Sequence, residues 1–310
     1  MHTQPKILFT ATLAATLPLM AENSLAASCG APPSGELRAE RVAAVTPSRA
    51  EPGLYEGPVW IGDALYFSDF SFAKGFPSRV RKLAENGTVS TVIEDSGSNG
   101  LAVDAGGNLV AASHKDKALV RHDREGKHVL AGSFKGNVFN SPNDLAVARD
   151  GSIYFTDPGW QKAAAPGGQP VTGIYRVATS GEVTLVDGTR SNPNGIALSP
   201  AGDVLYANAA DGLLMAYPIV KGLPQAGRVL VSGLEGADGM TLDCHGNLYV
   251  TEYGAKRVRV FSPQGKPLAT IRVDANVTNA AFGGKDGKTL YMTGAGALWR
   301  LPLAVSGMPY

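Results

Sequence analysis

Runs of positive charge are missing from this chain. Its 28 lysines and arginines stand against 27 aspartates and glutamates, for a formal charge of +1, and no basic tract breaks the balance. The electrostatic footprint of a nucleic-acid binder is therefore absent, and a small neutral or weakly charged ligand fits better. Cysteine is scarce: Cys29 and Cys244 lie far apart, and the five histidines (His2, His114, His122, His128, His245) show no paired-ligand spacing. That argues against zinc. The apolar stretch Ile7–Met20 holds about 14 residues, whereas a bilayer helix needs about 20.

That stretch follows Lys6 and precedes Ser24-Leu25-Ala26-Ala27-Ser28, whose small residues suit cleavage. Residues 1–28 thus read as a secretory signal peptide, and 29–310 as one mature domain exported to a periplasm or beyond, with no membrane association after cleavage. A retained anchor is the alternative. Glu22 and Asn23 interrupt the approach that a lipidated Cys29 requires. An oxidising destination favours a disulfide between the two cysteines, the other outcome being two free thiols.

What the chain has in abundance is glycine, 38 residues, with 20 prolines, which favours many short turns over long helices. Six segments repeat one plan: a polar residue, a turn-former, an alternating strand, a glycine turn and a second strand. They open at Glu56, Asn99, Asn143, Asn194, Asp238 and Asn279, at spacings of 43, 44, 51, 44 and 41. Turns such as Gly106-Gly107-Asn108, Asp150-Gly151-Ser152 and His245-Gly246-Asn247 supply positive-φ residues for tight hairpins. Near-constant spacing with several short strands per unit predicts an all-β, six-bladed β-propeller. A seven-bladed ring or an open sandwich is the competing arrangement.

From Asn279 only 32 residues remain, room for three strands. Arg41–Val45 is expected to supply the fourth, so that an N-terminal strand closes the ring and removes an exposed sheet edge. In this topology Cys244 and the start of the mature chain both fall on the lower side, which makes a Cys29–Cys244 bridge sterically reasonable. The long interval of 51 comes from Gln161–Val171, expected to form a lid or selectivity loop above the channel.

Innermost strands line the central channel of a propeller, and the residue opening each one stands at its mouth. All six openers offer a carboxylate or amide oxygen, and none is lysine, arginine or cysteine. Hard oxygen donors on one axis are what Ca2+ requires, with Glu56 and Asp238 matching its charge; magnesium prefers fewer protein ligands and more water. Asn-Gly and Asp-Gly are also ordinary turn signals, so the weight rests on six openers in register.

Glu56-Gly57-Pro58-Val59-Trp60, Ser141-Pro142-Asn143-Asp144, Tyr154-Phe155-Thr156-Asp157-Pro158, Asn192-Pro193-Asn194-Gly195-Ile196 and Asp238-Gly239-Met240 resemble the motifs of the senescence-marker-protein/gluconolactonase family, which includes regucalcin. The resemblance spans about Glu51 to Leu301. It implies a six-bladed propeller with one divalent ion in the channel and hydrolysis of sugar or related lactones. By position it implies that Glu56, Asn194 and Asp238 ligate the metal and that Asn143 binds metal or substrate. Where the regucalcin branch has a sugar-acid-binding arginine, this chain has Ser141. Its Ser-Pro-Asn-Asp form is similar to the bacterial lactonase branch, which puts gluconolactone itself in question.

The implied chemistry is Lewis-acid polarisation of the lactone carbonyl, with Asp238 as the base that activates water. Alternatively Asp238 only holds the metal and Asp157, at the end of a strand, transfers the proton. Asn99, Asn143, His114, Trp160 and Tyr253 are candidate substrate contacts, with Tyr175 either in the same apolar wall or in blade packing. His114 is expected at the pocket rim or on the surface. Two other functions compete: phosphotriester or organofluorophosphate hydrolysis on the same site, and non-catalytic binding of calcium or a sugar acid. A strictosidine-synthase-like condensation would not need the metal constellation. Oligomeric state is left open.

Overall fold

The computed structural model describes residues 29–45, 53–160, 167–308; the signal peptide expected at 1–28 lies outside them. Alternating apolar strands joined by tight turns pack as meanders. At Gly107 and Gly246 φ is 78° and 77°, and in each turn an aspartate caps the loop: Asp104 Oδ1 accepts from the amides of Gly106 and Asn108, and Asp243 Oδ1 from those of His245 and Asn247. Such Asx turns reverse the chain within a few residues.

Six sheets result. From the channel outward, the first is Gly53–Ile61, Ala64–Ser71, Ser78–Ala84 and Val89–Ile93. The second is Ser98–Val103, Leu109–Ser113, Ala118–Asp123 and Gly126–Ala131; the third is Leu145–Val147, Ile153–Asp157, Gly173–Val177 and Val183–Asp187. The fourth is Pro193–Leu198, Val204–Ala209, Leu214–Val220 and Arg228–Val231; the fifth is Ala237–Leu242, Leu248–Glu252, Arg257–Phe261 and Pro267–Arg272. Val277–Gly283, Thr289–Gly294 and Leu298–Pro302 form the sixth, completed by Glu40–Arg41. Each inner strand touches the inner strands on either side, so the blades close a ring. Every blade interface carries its own apolar cluster, such as Val59, Val80, Leu101, Ala111 and Val120 between blades one and two. Burial in these wedges drives closure, at roughly 25 cal/mol per Å² of apolar surface.

Closure differs from expectation in register. The closing strand is Glu40–Arg41, paired with Arg300 and Trp299, and Val42 adds one more hydrogen bond, to the Leu298 carbonyl at 2.8 Å. Residues 43–45 turn away, and Val45 packs into the cluster between blades six and one. The reason lies upstream. Gly35–Arg38 runs parallel to Pro267–Arg272 as a fifth strand on blade five, so the chain arrives at blade six already fixed. Arg41 clamps the junction through Asp274 at 2.8 Å. Below, a disulfide joins Cys29 to Cys244 with Cα atoms 5.9 Å apart. The C-terminal segment threads between them: Ser306 donates to the Cys29 carbonyl and accepts from the Cys244 amide.

Of the expected lid, residues 161–166 lie outside the described residues. Gly167–Val171 rests on a short hairpin, Ser133–Phe134 with Asn137–Val138, which precedes blade three. Gln169 Nε2 donates to the Phe134 and Asn137 carbonyls, and Asn140 Nδ2 to Val171.

Candidate functional site

A bulge interrupts the inner-strand pairing at the opener in five blades, between Glu56 and Val59, Ser98 and Leu101, Pro193 and Ile196, Ala237 and Met240, and Val277 and Asn279. Bulges re-aim side chains, and here the openers are polar residues at the channel's upper end, all buried but the half-buried Asp238. The glycines that follow them serve close packing between blades. A Cβ on Gly239 would lie 1.9 Å from Asn279 Cγ, and one on Gly195 2.3 Å from the Asp238 carbonyl.

Blade three breaks that rule. The residue after its opener is Asp144, where the other blades have Gly57, Gly100, Gly195, Gly239 and Ala280. Its carboxylate enters the ring and was missed as a candidate, although a lone acid at a position otherwise given to glycine or alanine was a visible signal. Asn279 Nδ2 joins Asp144 Oδ2 at 3.3 Å to Glu56 Oε2 at 3.2 Å, a link between blades six, three and one. Glu56 Oε2 also accepts from the Gly57 amide at 2.7 Å, and Asp144 Oδ1 from the Leu145 amide at 3.0 Å. Asn194 Nδ2 donates to Asp238 Oδ1 at 2.6 Å. Among the described residues no hydrogen bond uses Asn194 Oδ1 or the Asn143 side chain, and Asn99 Oδ1 is buried without a partner.

Hydrogen bonds passed from blade to blade hold the openers in place. Thr156 Oγ1 donates to the Asn194 carbonyl at 2.6 Å, Asn208 Nδ2 to Asp238 at 2.7 Å, Thr251 Oγ1 to Thr278 at 2.7 Å, and Thr278 Oγ1 to Tyr55 at 2.6 Å. All of these acceptors are openers or their immediate neighbours.

Glu56 and Asp144 are buried, whereas Asp238 is half-buried and keeps contact with solvent at the mouth. Burial raises all three carboxyls. Glu56 moves well above the usual range, with the Asp238 and Asp144 charges adding to the effect of burial. Asp144 rises to about 7. Asp238 rises to about 8 through burial, against the pull of Asn194 and with a push from Asp144. The charges bearing on this ring are negative, so it is electrostatically unfinished. Among the described residues no three His, Cys, Asp or Glu side chains by themselves make a metal-holding group; the donors are carboxylates mixed with amides, the oxygen set that suits a hard cation. Below the ring the channel encloses about 400 Å³ and is lined mainly by aliphatic residues, including Val59, Leu101, Ile196 and Met240.

Other candidates fall elsewhere. Asp157 has its two oxygens on the amides of Asn140, 2.9 Å, and Ser141, 2.6 Å, and among the described residues no hydrogen bond joins it to the ring. It is fully buried, though burial raises its carboxyl to about 7 against those two amides. Its place is to clamp the loop that leads to Asn143. His114, expected at the rim or surface, is 1 % exposed and packs against Phe76, ring centroids 4.7 Å apart and tilted. Tyr175 is blade packing, stacked on Phe155 at 5.3 Å. Trp160 is half-buried and its carbonyl accepts from Ser141 Oγ. Tyr253 is half-buried, its amide bonded to the Gly236 carbonyl.

Residues 54–296 match the family described as SMP-30/Gluconolactonase/LRE-like region. A gluconolactonase of Zymomonas mobilis is 30% identical over 276 residues, 77% of this chain and 75% of the relative. Among solved structures, a gluconolactonase from Xanthomonas campestris superposes with a TM-score of 0.74 at 30% identity, covering 88% of this chain and 98% of the other. A calcium-binding regucalcin from Agrobacterium tumefaciens shares the fold, with a TM-score of 0.72, 21% identity, and coverage of 88% and 97%.

Proposed function

Because the chain belongs to the SMP-30/gluconolactonase/LRE-like family, with gluconolactonases among its relatives, we propose that it hydrolyses a small lactone at the channel mouth with one bound divalent cation, calcium. One observation carries the proposal: Glu56, Asp144 and Asp238 converge with Asn194 and Asn279, and among the described residues the ring contains no positive charge to balance them. Glu56, Asn194 and Asp238 would hold the ion, and Asn143, its side chain otherwise unengaged, would contact ion or substrate. When bound, the cation supplies Lewis-acid polarisation of the carbonyl being attacked.

The chain's own residues do the rest. Asp238 meets solvent at the mouth and has a raised proton affinity, so it can take a proton from an attacking water while still held by Asn194. Asn279 fixes Glu56 and Asp144 relative to each other, which keeps the acceptor set preorganised before substrate arrives. Asn99 and Asn143 stand side by side, since the Gly100 amide donates to the Asn143 carbonyl at 2.7 Å, and they offer amides to the hydroxyls of a sugar ring. The proposal includes export of the protein. The Cys29–Cys244 disulfide supports it, because such bonds persist in oxidising compartments.

The test pairs metal analysis of the purified protein with a pH-indicator screen of aldonolactones, aromatic lactones and phosphotriesters, with and without chelator. Lactone turnover that chelation abolishes and calcium restores is the expected result. Turnover of phosphotriesters alone, or no turnover by calcium-loaded protein, rejects it.

A further inference from the structure

Above Asn99 and Asn143, at the junction of blades two and three, lies a cluster of polar groups that the ring does not use. Lys117 is 5 % exposed, and among the described residues its ammonium makes one hydrogen bond, to Ser141 Oγ at 3.0 Å. That hydroxyl sends its proton toward the Asn140 or Trp160 carbonyl, so it meets the lysine as a neutral acceptor. Asp157 is the neighbouring negative charge, but its oxygens are engaged by the Asn140 and Ser141 amides and no hydrogen bond joins it to Lys117. A lysine ammonium carries three donors. Two are left over here.

Beside it, His114 lies within the field of Lys117, with its ring against Phe76 and both nitrogens buried without a partner. Asn99 Oδ1 is in the same condition. The antiparallel pair Ser98–Ser113 closes the upper end of blade two, and Asn99 and His114 lie one residue to either side of it. Ser141 is two residues from Asn143, so the cluster borders the ring. Buried polar atoms without partners are rare, and several together call for a ligand. A buried cation calls for an anion in particular.

We propose that Lys117 selects lactones bearing a carboxylate, with His114 and Asn99 taking hydroxyls of the same molecule. The substrate class is then the lactone of a dicarboxylic sugar acid rather than of a simple aldonic acid. This rests on the lactonase assignment of the ring and adds to it the charge of the substrate.

The experiment compares D-galactono-1,4-lactone with its carboxylate counterpart D-galactaro-1,4-lactone in wild type, Lys117→Met and Lys117→Arg. Wild type should favour the carboxylate lactone in kcat/KM, and Lys117→Met should cut that preference by about tenfold or more, mostly through KM, as loss of a charged hydrogen bond does. Lys117→Arg should recover part of it. A loop-supporting lysine would instead lower both lactones alike and leave the preference unchanged, which overturns the proposal. Calorimetric binding of galactarate and galactonate gives a second readout without turnover: galactarate should bind more tightly, and only with Lys117 or Arg present. Equal affinities overturn the proposal. If neither lactone is hydrolysed, the wider ester screen decides the lactonase assignment, while the binding comparison still decides the role of Lys117.

Discussion

Asp144→Asn removes one of the three acids from the ring without changing its shape. In the folded, metal-free chain burial holds Asp144 at about 7, roughly three pH units above an aspartate in the unfolded chain. A carboxyl raised in this way costs nothing below about pH 4, where both states are protonated. Stability is then lost as pH rises through the folded value. At pH 8 the loss attributable to Asp144 approaches 4 kcal/mol, as an upper figure. Urea unfolding in excess chelator at pH 4.5 and pH 8 measures it. Wild type should be several kcal/mol less stable at the higher pH, and Asp144→Asn should recover about 2–4 kcal/mol there and little at pH 4.5. Saturating calcium should stabilise wild type more than the variant, because the cation offsets the buried negative charge that the variant lacks. A chelated wild type that is as stable at pH 8 as at pH 4.5, or a variant with the same pH slope, would refute the argument.

Asp238→Ala should abolish calcium binding in a titration and reduce lactone turnover by at least about a hundredfold; unchanged turnover would remove Asp238 from the mechanism. Asp157→Ala should lower unfolding stability by about 1–3 kcal/mol, since two buried amides lose their acceptor, while calcium affinity stays within about threefold. A loss of metal binding as large as that of Asp238→Ala would instead make Asp157 a ligand. Replacing Cys29 and Cys244 together by serine should cost about 2–5 kcal/mol in chemical denaturation, and thiol titration of the denatured, unreduced protein should find no free sulfhydryl.

The repeat is legible in the amino-acid sequence because it is written in local chemistry. Alternating strands, Asx turns and evenly spaced polar openers each need only a few neighbouring residues, and six of them at similar intervals leave a ring as the economical closure. The openers themselves are legible for the same reason. Their division of labour is not. Asn279 reads as one opener among six, yet its amide joins Glu56 to Asp144 across more than a hundred residues of sequence. Asp144 shows in the sequence as an acid where the other repeats have glycine or alanine, but that it reaches the channel is decided only by the fold. Asp157 ends its strand as a catalytic acid would, and only the amides of Asn140 and Ser141 show that its oxygens are engaged.

By itself, then, the sequence determined the all-β repeat, the six blades, the polar mouth and the need for an N-terminal strand. Tertiary structure decided the rest: which openers touch, where the closing strand begins, and that Lys117 is buried against Ser141 with His114 in its field. The physical reason is range. Strand periodicity and turn geometry are set by contacts a few residues apart, whereas burial, charge coupling and hydrogen-bond exchange around the channel exist only once distant blades have closed on one another.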